Sequence, residues 1–138
     1  MVSSLFIIHF SCCLFMTGLI WLIQLVHYPS FHFISTENFK RFQEFHMRRI
    51  SFIVIPVMLV EITTAIILFN NDSSFYLLLN LLLNTLTFAS TYLLSVPIHN
   101  KLTQGKDINM IKKLIFTNWP RTVFWSLRSL LLILTIWV

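Results

Sequence analysis

An all-α fold, a four-helix transmembrane bundle, is predicted for this chain by three observations. Apolar residues make up 57% of its 138 positions, charged residues 11%, and there are only two glycines, a balance that soluble domains of this size do not have. Four windows, at about 4–27, 49–69, 75–98 and 119–138, are apolar over lengths near the ~20 residues a helix needs to cross ~30 Å of hydrocarbon. All ten Lys and Arg lie in or beside two intervening segments, 28–48 and 99–118, or in the near half of the last window. Residues 1–138 therefore read as a single integral membrane domain.

The first window is read as a retained span rather than a signal peptide, because Met1 to Ser4 carries no cation and no small-residue cleavage site follows. Cys12 and Cys13 are adjacent, so on a helix they point ~100° apart and do not pair. They read as small buried apolar residues. From Thr36, the spacing of Phe39, Phe42, His46, Arg49 and Ile53 keeps one helical stripe, so the second helix is expected to start near Glu37. From there to Phe69 it measures ~50 Å at ~1.5 Å per residue. Its first turns must therefore leave the lipid or bend along its surface, and Pro56 is expected to kink it. Asn70 to Ser74 allows only a tight turn, which makes the second and third spans antiparallel neighbours.

In the third span Asn80, Asn84, Thr87, Thr91 and Ser95 fall within ~80° of one another on a helical wheel. That stripe must face the bundle, as interhelical hydrogen bonding or as the lining of a polar cavity. Asp107 caps a short amphipathic interfacial helix whose Ile108, Ile111, Leu114 and Ile115 face lipid or protein while Lys112 and Lys113 face water. In the last span Arg121, Trp125, Arg128 and Thr135 share a face, and Arg128 lies ~13 Å in from Trp119. Glu61, the only acid within a span, is its natural partner, as a structural ion pair or as a proton-handling or substrate-anchoring one.

The cation distribution places the two long segments in the cytoplasm and both termini outside a plasma (inner) membrane. The net charge of +5 is then a topology signal and an attraction to anionic membrane lipid, and no nucleic acid is invoked. Formation of a homo-oligomer stays open.

His27, His46 and His99 close or open three different windows and so share one depth. Three neutral imidazoles at one depth are a candidate metal set, and each alone is equally a boundary residue. Prolines beside His27 and His99 (Pro29, Pro97) are expected to disturb the helices there. Glu37, Glu44 and Asn118 are supplementary donors, His32 is a reserve, and His9 sits too far toward the opposite face to join. Asn118 and Trp125 are expected to contact a cofactor.

The run Val96-Pro97-Ile98-His99-Asn100-Lys101-Leu102, followed by Asn118-Trp119-Pro120-Arg121-Thr122, Trp125 and Arg128, resembles the end of the small four-helix membrane proteins grouped with anthrone oxygenases. A closer resemblance is to uncharacterised bacterial membrane proteins with a His-Tyr-Pro segment, a Phe-rich loop ending in His and Arg, and a Pro followed by Glu in the second span, here Pro56 and Glu61. The chain departs from the anthrone-oxygenase pattern in having Arg121 and Trp125 where an aromatic and an Asn are expected upstream of the last Arg. The resemblance implies an oxidative role on a hydrophobic molecule. The expected function is a membrane-embedded, transition-metal-dependent oxidoreductase or oxygenase for a lipophilic small molecule: His27, His46 and His99 hold the metal, Arg121 and Arg128 steady an anionic or carbonyl group, and Glu61 relays protons or holds Arg128. The alternatives are a non-catalytic haem protein with two histidine ligands, and a small transporter or assembly subunit.

Overall fold

A computed structural model describes residues 3–137, and every regular element among them is helical. Three helices are long and apolar enough to cross a membrane: α1 (Ser4–Phe33), α2 (Thr36–Asn71) and α3 (Phe75–Leu102). The short α4 (Ile108–Thr117) and the fourth long helix α5 (Trp119–Trp137) follow, with only Asn118 between them. Val138, the last residue of the fourth window, lies outside the described residues, as do Met1 and Val2. The long helices close a ring, in which α1 and α3 each pack against both α2 and α5. Asp72–Ser74 joins α2 to its neighbour α3 at one end of the ring, the turn end.

At the other end, here called the loop end, the segment 28–48 is not a loop. α1 runs on to Phe33, α2 begins at Thr36, and only Ile34 and Ser35 join them. Helix ends leave carbonyls without intrahelical partners; Lys106 takes up two of them, its Nζ donating to the carbonyls of His32 (2.8 Å) and Ile34 (2.7 Å). Phe31 and Phe39 are fully buried beside this junction. Segment 99–118 is likewise mostly helix, the end of α3 followed by α4. The turn between them passes through Gly105 at φ +152°, which a side chain would strain. Asp107 caps α4 as expected, its Oδ1 accepting from the amides of Asn109 (2.8 Å) and Met110 (3.0 Å). Ile111 and Leu114 are buried against the protein, while Lys112 and Lys113 are exposed.

Proline acts differently in the three long helices. α2 continues as α-helix through Pro56. In α1 and α3, by contrast, single π turns at Ile23–His27 and Thr91–Ser95 end two residues before Pro29 and Pro97. A proline ring collides with the carbonyl four residues back and offers it no hydrogen. Widening the preceding turn relieves both problems and rotates everything after it. That rotation supplies the correction His99 needs to point inward.

The inward face of α2 departs from the stripe read in the sequence. Phe39 and His46 are buried and Phe42 half-buried, but Arg49 and Ile53 are exposed; the buried row continues through Gln43, Val54, Met58 and Glu61. A strict alternation of three and four drifts off a 3.6-residue helix. The polar stripe of α3 faces the bundle as expected, with Asn80, Asn84, Thr87 and Ser95 buried and Thr91 half-buried.

Candidate functional site

Two buried polar clusters occupy the ring, one at the loop end and one deeper. At the loop end His27 Nε2 lies 2.8 Å from His46 Nδ1, with ring centroids 4.6 Å apart and His99 5.4 Å beyond His46. Phe31 and Phe42 pack around the first two rings. The three histidines expected to converge do so, from the end of α1, the first turns of α2 and the end of α3.

His99 is bonded at both nitrogens. Gln43 Nε2 lies 2.9 Å from His99 Nδ1 and 3.3 Å from the His99 carbonyl oxygen. A carbonyl only accepts, so the Gln43 atom facing it is its NH₂, and Nδ1 of His99 accepts too. The ring hydrogen of neutral His99 then sits on Nε2 and is donated to Tyr28 Oη, 2.9 Å away. Tyr28 keeps its own hydroxyl hydrogen free to give elsewhere.

What lies beside Tyr28 and His99 is a cavity of about 130 Å³. Its polar lining is Tyr28, His99, Ser95 and Arg121 with the hydroxyls of Ser51 and Thr91, and the rest of its wall is apolar, among them Ile23, Val54 and Met58. Arg121 is buried, with Nη1 donating to Ser95 Oγ at 2.9 Å, its guanidinium carbon 5.6 Å from the Trp125 ring centroid, and Nε without a partner. Among the described residues no carboxylate stands beside it. Glu37, Glu44 and Asp72 are exposed, Asp107 caps α4, and Glu61 belongs to the deeper cluster.

The expected Glu61–Arg128 pair is the centre of that deeper cluster, with Oε1 to Nη2 at 2.9 Å and both side chains fully buried. Trp125 Nε1 donates to Glu61 Oε2 at 3.2 Å, and Arg128 Nε donates to Asn80 Oδ1 at 3.1 Å. Because an arginine nitrogen only donates, the orientation of Asn80 is settled: its NH₂ faces His9 Nε2 at 2.9 Å. His9 therefore accepts there and donates from Nδ1 to Thr64 Oγ1 at 2.7 Å, while Thr64 donates onward to the Val60 carbonyl at 2.6 Å.

The remaining expected site residues fall outside both clusters or support them. Asn118 donates to Gln24 Oε1 (2.8 Å), which also accepts from Thr122 (3.4 Å), while Gln24 Nε2 donates to the Ile115 carbonyl (3.1 Å); this ties α1 to α4 and α5. Trp125 separates the clusters without lining the cavity. Glu37 and Glu44 point outward, and Cys12 and Cys13 are free thiols. Sequence reasoning missed Tyr28, Gln43 and Gln24, and set His9 aside. Gln43 had a legible signal, an uncharged amide one helical turn before His46.

Among the described residues no group of three or more His, Cys, Asp or Glu has metal-holding geometry. His99 has both nitrogens engaged, and one nitrogen each of His27 and His46 is spent on the other. No family model, curated protein or solved structure matches the chain.

Proposed function

We propose that the chain is a four-span membrane protein whose cavity at Tyr28, Ser95, His99 and Arg121 receives the oxygen-bearing head of a lipophilic small molecule. The observation that carries this reading is Arg121, a buried guanidinium at an apolar-walled cavity with no carboxylate beside it among the described residues. An uncompensated buried charge is strongly unfavourable. Among the described residues Glu61 is paired with Arg128, Asp107 caps α4, and Glu37, Glu44 and Asp72 are exposed away from the cavity, so a ligand brings the countercharge: a carboxylate, phenolate or enolate oxygen. The free Tyr28 hydroxyl hydrogen supplies a second contact. A volume of about 130 Å³ holds a head group rather than a whole drug-sized molecule, which takes ~300–1,000 Å³. The apolar body then lies between the helices or in lipid.

Binding a phenol or ketone as its phenolate or enolate raises electron density at the adjoining carbon. That is the state an oxidoreductase or oxygenase needs, in line with the oxidative role implied by the resemblance to the anthrone-oxygenase group. Tyr28 and His99 exchange the proton with the ligand, and Arg121 holds the oxygen. α5 counts as the fourth span because its two arginines turn inward while Val123, Leu127, Leu130 and Leu134 are exposed as lipid contacts. Its 19 residues rise ~28 Å. The cation distribution places the loop end in the cytoplasm.

A bound transition metal is the second reading, favoured by one observation: His46 Nε2 is buried and has no partner. Holding a metal at His27, His46 and His99 requires the His27–His46 bond to open and His99 to release Tyr28 or Gln43; the metal would then supply redox chemistry beside the cavity. Haem has no such support, since Arg128 is committed to Glu61. The test is to titrate detergent-solubilised protein with a fluorescent naphthoic acid. Arg121→Gln and Tyr28→Phe are expected to weaken binding roughly tenfold each, ~1.4 kcal/mol, while Arg41→Gln leaves it unchanged. A folded Arg121→Gln protein that binds as wild type refutes the site. Elemental analysis of wild type and His46→Ala decides the metal.

A further inference from the structure

His9, Asn80 and Glu61 do not line the cavity, yet each is buried and bonded to a distant polar side chain. His9 and His27 are 18 positions apart on α1, ~27 Å by helical rise, close to the ~30 Å thickness of a hydrocarbon core. Between those two rings a file of buried polar side chains runs nearly the whole way. His9 bonds Asn80, Asn80 bonds Arg128, and Arg128 pairs with Glu61. Glu61 lies one turn along α2 from Met58, which lines the cavity of Tyr28, Ser95, His99 and Arg121. From there His99 and Tyr28 lead to Gln43, His46 and His27.

Both ends of the file meet recesses. At the turn end a recess of about 440 Å³ is lined by Ser3, Phe6, Asn71, Asp72, Leu77 and Thr135, among others. Phe6 and Leu77 stand one turn outside His9 and Asn80 on their own helices, so the file begins directly beneath that recess. At the loop end His27 and His46 face a groove of about 410 Å³ between α1 and α2. In the middle, Asn84 is buried with neither amide atom bonded, and Ser90 Oγ, Arg121 Nε and Arg128 Nη1 are likewise buried without partners. Polar groups in that state take hydrogen bonds from water when it enters.

We propose that this file is a proton path through the bundle, running from the recess at Asp72 through His9 and Glu61 to the Tyr28–His99 pair and out past His46 and His27. Each step moves one proton from an N–H or O–H to a lone pair on the next titratable group, so one proton enters for each that leaves and no electrons move. Asn80 must first turn its NH₂ away from His9 Nε2 for that nitrogen to load. Arg128 keeps the region from carrying a net negative charge when Glu61 is ionised. The titratable and charged groups around Glu61 are Arg128 from α5 and His9, Cys12 and Cys13 from α1; from α3 the uncharged amide of Asn80 bonds Arg128. The destination at Tyr28 and His99 rests on the cavity being the working site; the path itself does not.

The full chain is reconstituted in liposomes with a trapped pH dye, and a potassium gradient with valinomycin drives proton entry. Wild type is expected to acidify the lumen faster than protein-free vesicles. A positioned proton-transfer group contributes ~10²–10⁴-fold, so His9→Gln, which keeps hydrogen bonding but cannot titrate, is expected to cut the flux at least about tenfold. Glu61→Gln is expected to do the same where it folds, and Lys113→Gln serves as the exposed control. Wild-type flux no greater than protein-free vesicles overturns the proposal, as does a folded His9→Gln protein whose flux falls less than about tenfold. Naphthoic acid binding is measured on the same preparations. Flux with no binding overturns the cavity reading alone; binding with no flux overturns the path alone.

Discussion

Removing the two members of the Glu61–Arg128 pair one at a time is expected to destabilise the protein unequally. Both side chains are fully buried and 2.9 Å apart. Stranding one such charge costs ~3–5 kcal/mol. In Glu61→Leu the stranded group is a guanidinium, which cannot discharge in a protein, and Trp125 Nε1 also loses its acceptor, adding ~1–3 kcal/mol. In Arg128→Leu the stranded group is a carboxyl, which neutralises by binding a proton, so the loss is expected near the lower end of the range. Asn80 Oδ1 gives up its donor in that variant too. The double Leu variant leaves no charge and is expected to be less damaged than Glu61→Leu alone. The assay is thermal unfolding of the four proteins in one detergent, combined as a double-mutant cycle. The expected coupling exceeds ~2 kcal/mol, several degrees in Tm for a chain of this length. Additive losses, or an Arg128→Leu protein less stable than Glu61→Leu, refute the reasoning.

Trp125→Phe keeps the packing and removes one hydrogen bond to Glu61; a loss of ~1.5–3 kcal/mol in the same unfolding assay is expected, the scale of a bond to a charged group. Lys106→Met frees the carbonyls of His32 and Ile34, and hydrogen exchange is expected to speed up around residues 31–38 while the melting temperature shifts by no more than a few degrees. Pro97→Ala restores an amide hydrogen in α3, so the π turn at Thr91–Ser95 is expected to revert toward α-helix and turn His99 away from Tyr28. Naphthoic acid binding falls if that is so and stays at the wild-type level if the turn has another cause. Thiol labelling of single cysteines at Gln104 and Ser73 in sealed vesicles is expected to mark opposite sides of the membrane, with Gln104 cytoplasmic; the reverse outcome refutes the topology.

The helical class was legible in composition and in the apolar windows alone, because an apolar run of that length has few ways to satisfy its backbone except as helix. The cap at Asp107, the inward polar stripe of α3 and the pairing of Glu61 with Arg128 were also legible, each set by local geometry or by the scarcity of partners for a buried charge. The depth of His27, His46 and His99 could be read along the chain as well. Their wiring could not. Which nitrogen of His99 accepts depends on Gln43 and Tyr28, residues 56 and 71 positions away. The pattern of cations made 28–48 look like a loop, yet residues after His27 continue as helix because Lys106 and the packed rings of Phe31 and Phe39 complete the helix ends from outside. His9 looked remote on a linear map and joins Asn80 only because α1 and α3 face each other across the ring, each packed against both α2 and α5. Sequence determines what each residue can donate, accept or bury; tertiary structure decides which distant partner receives it, because a hydrogen bond inside an apolar ring of helices depends on ångströms that periodicity does not encode.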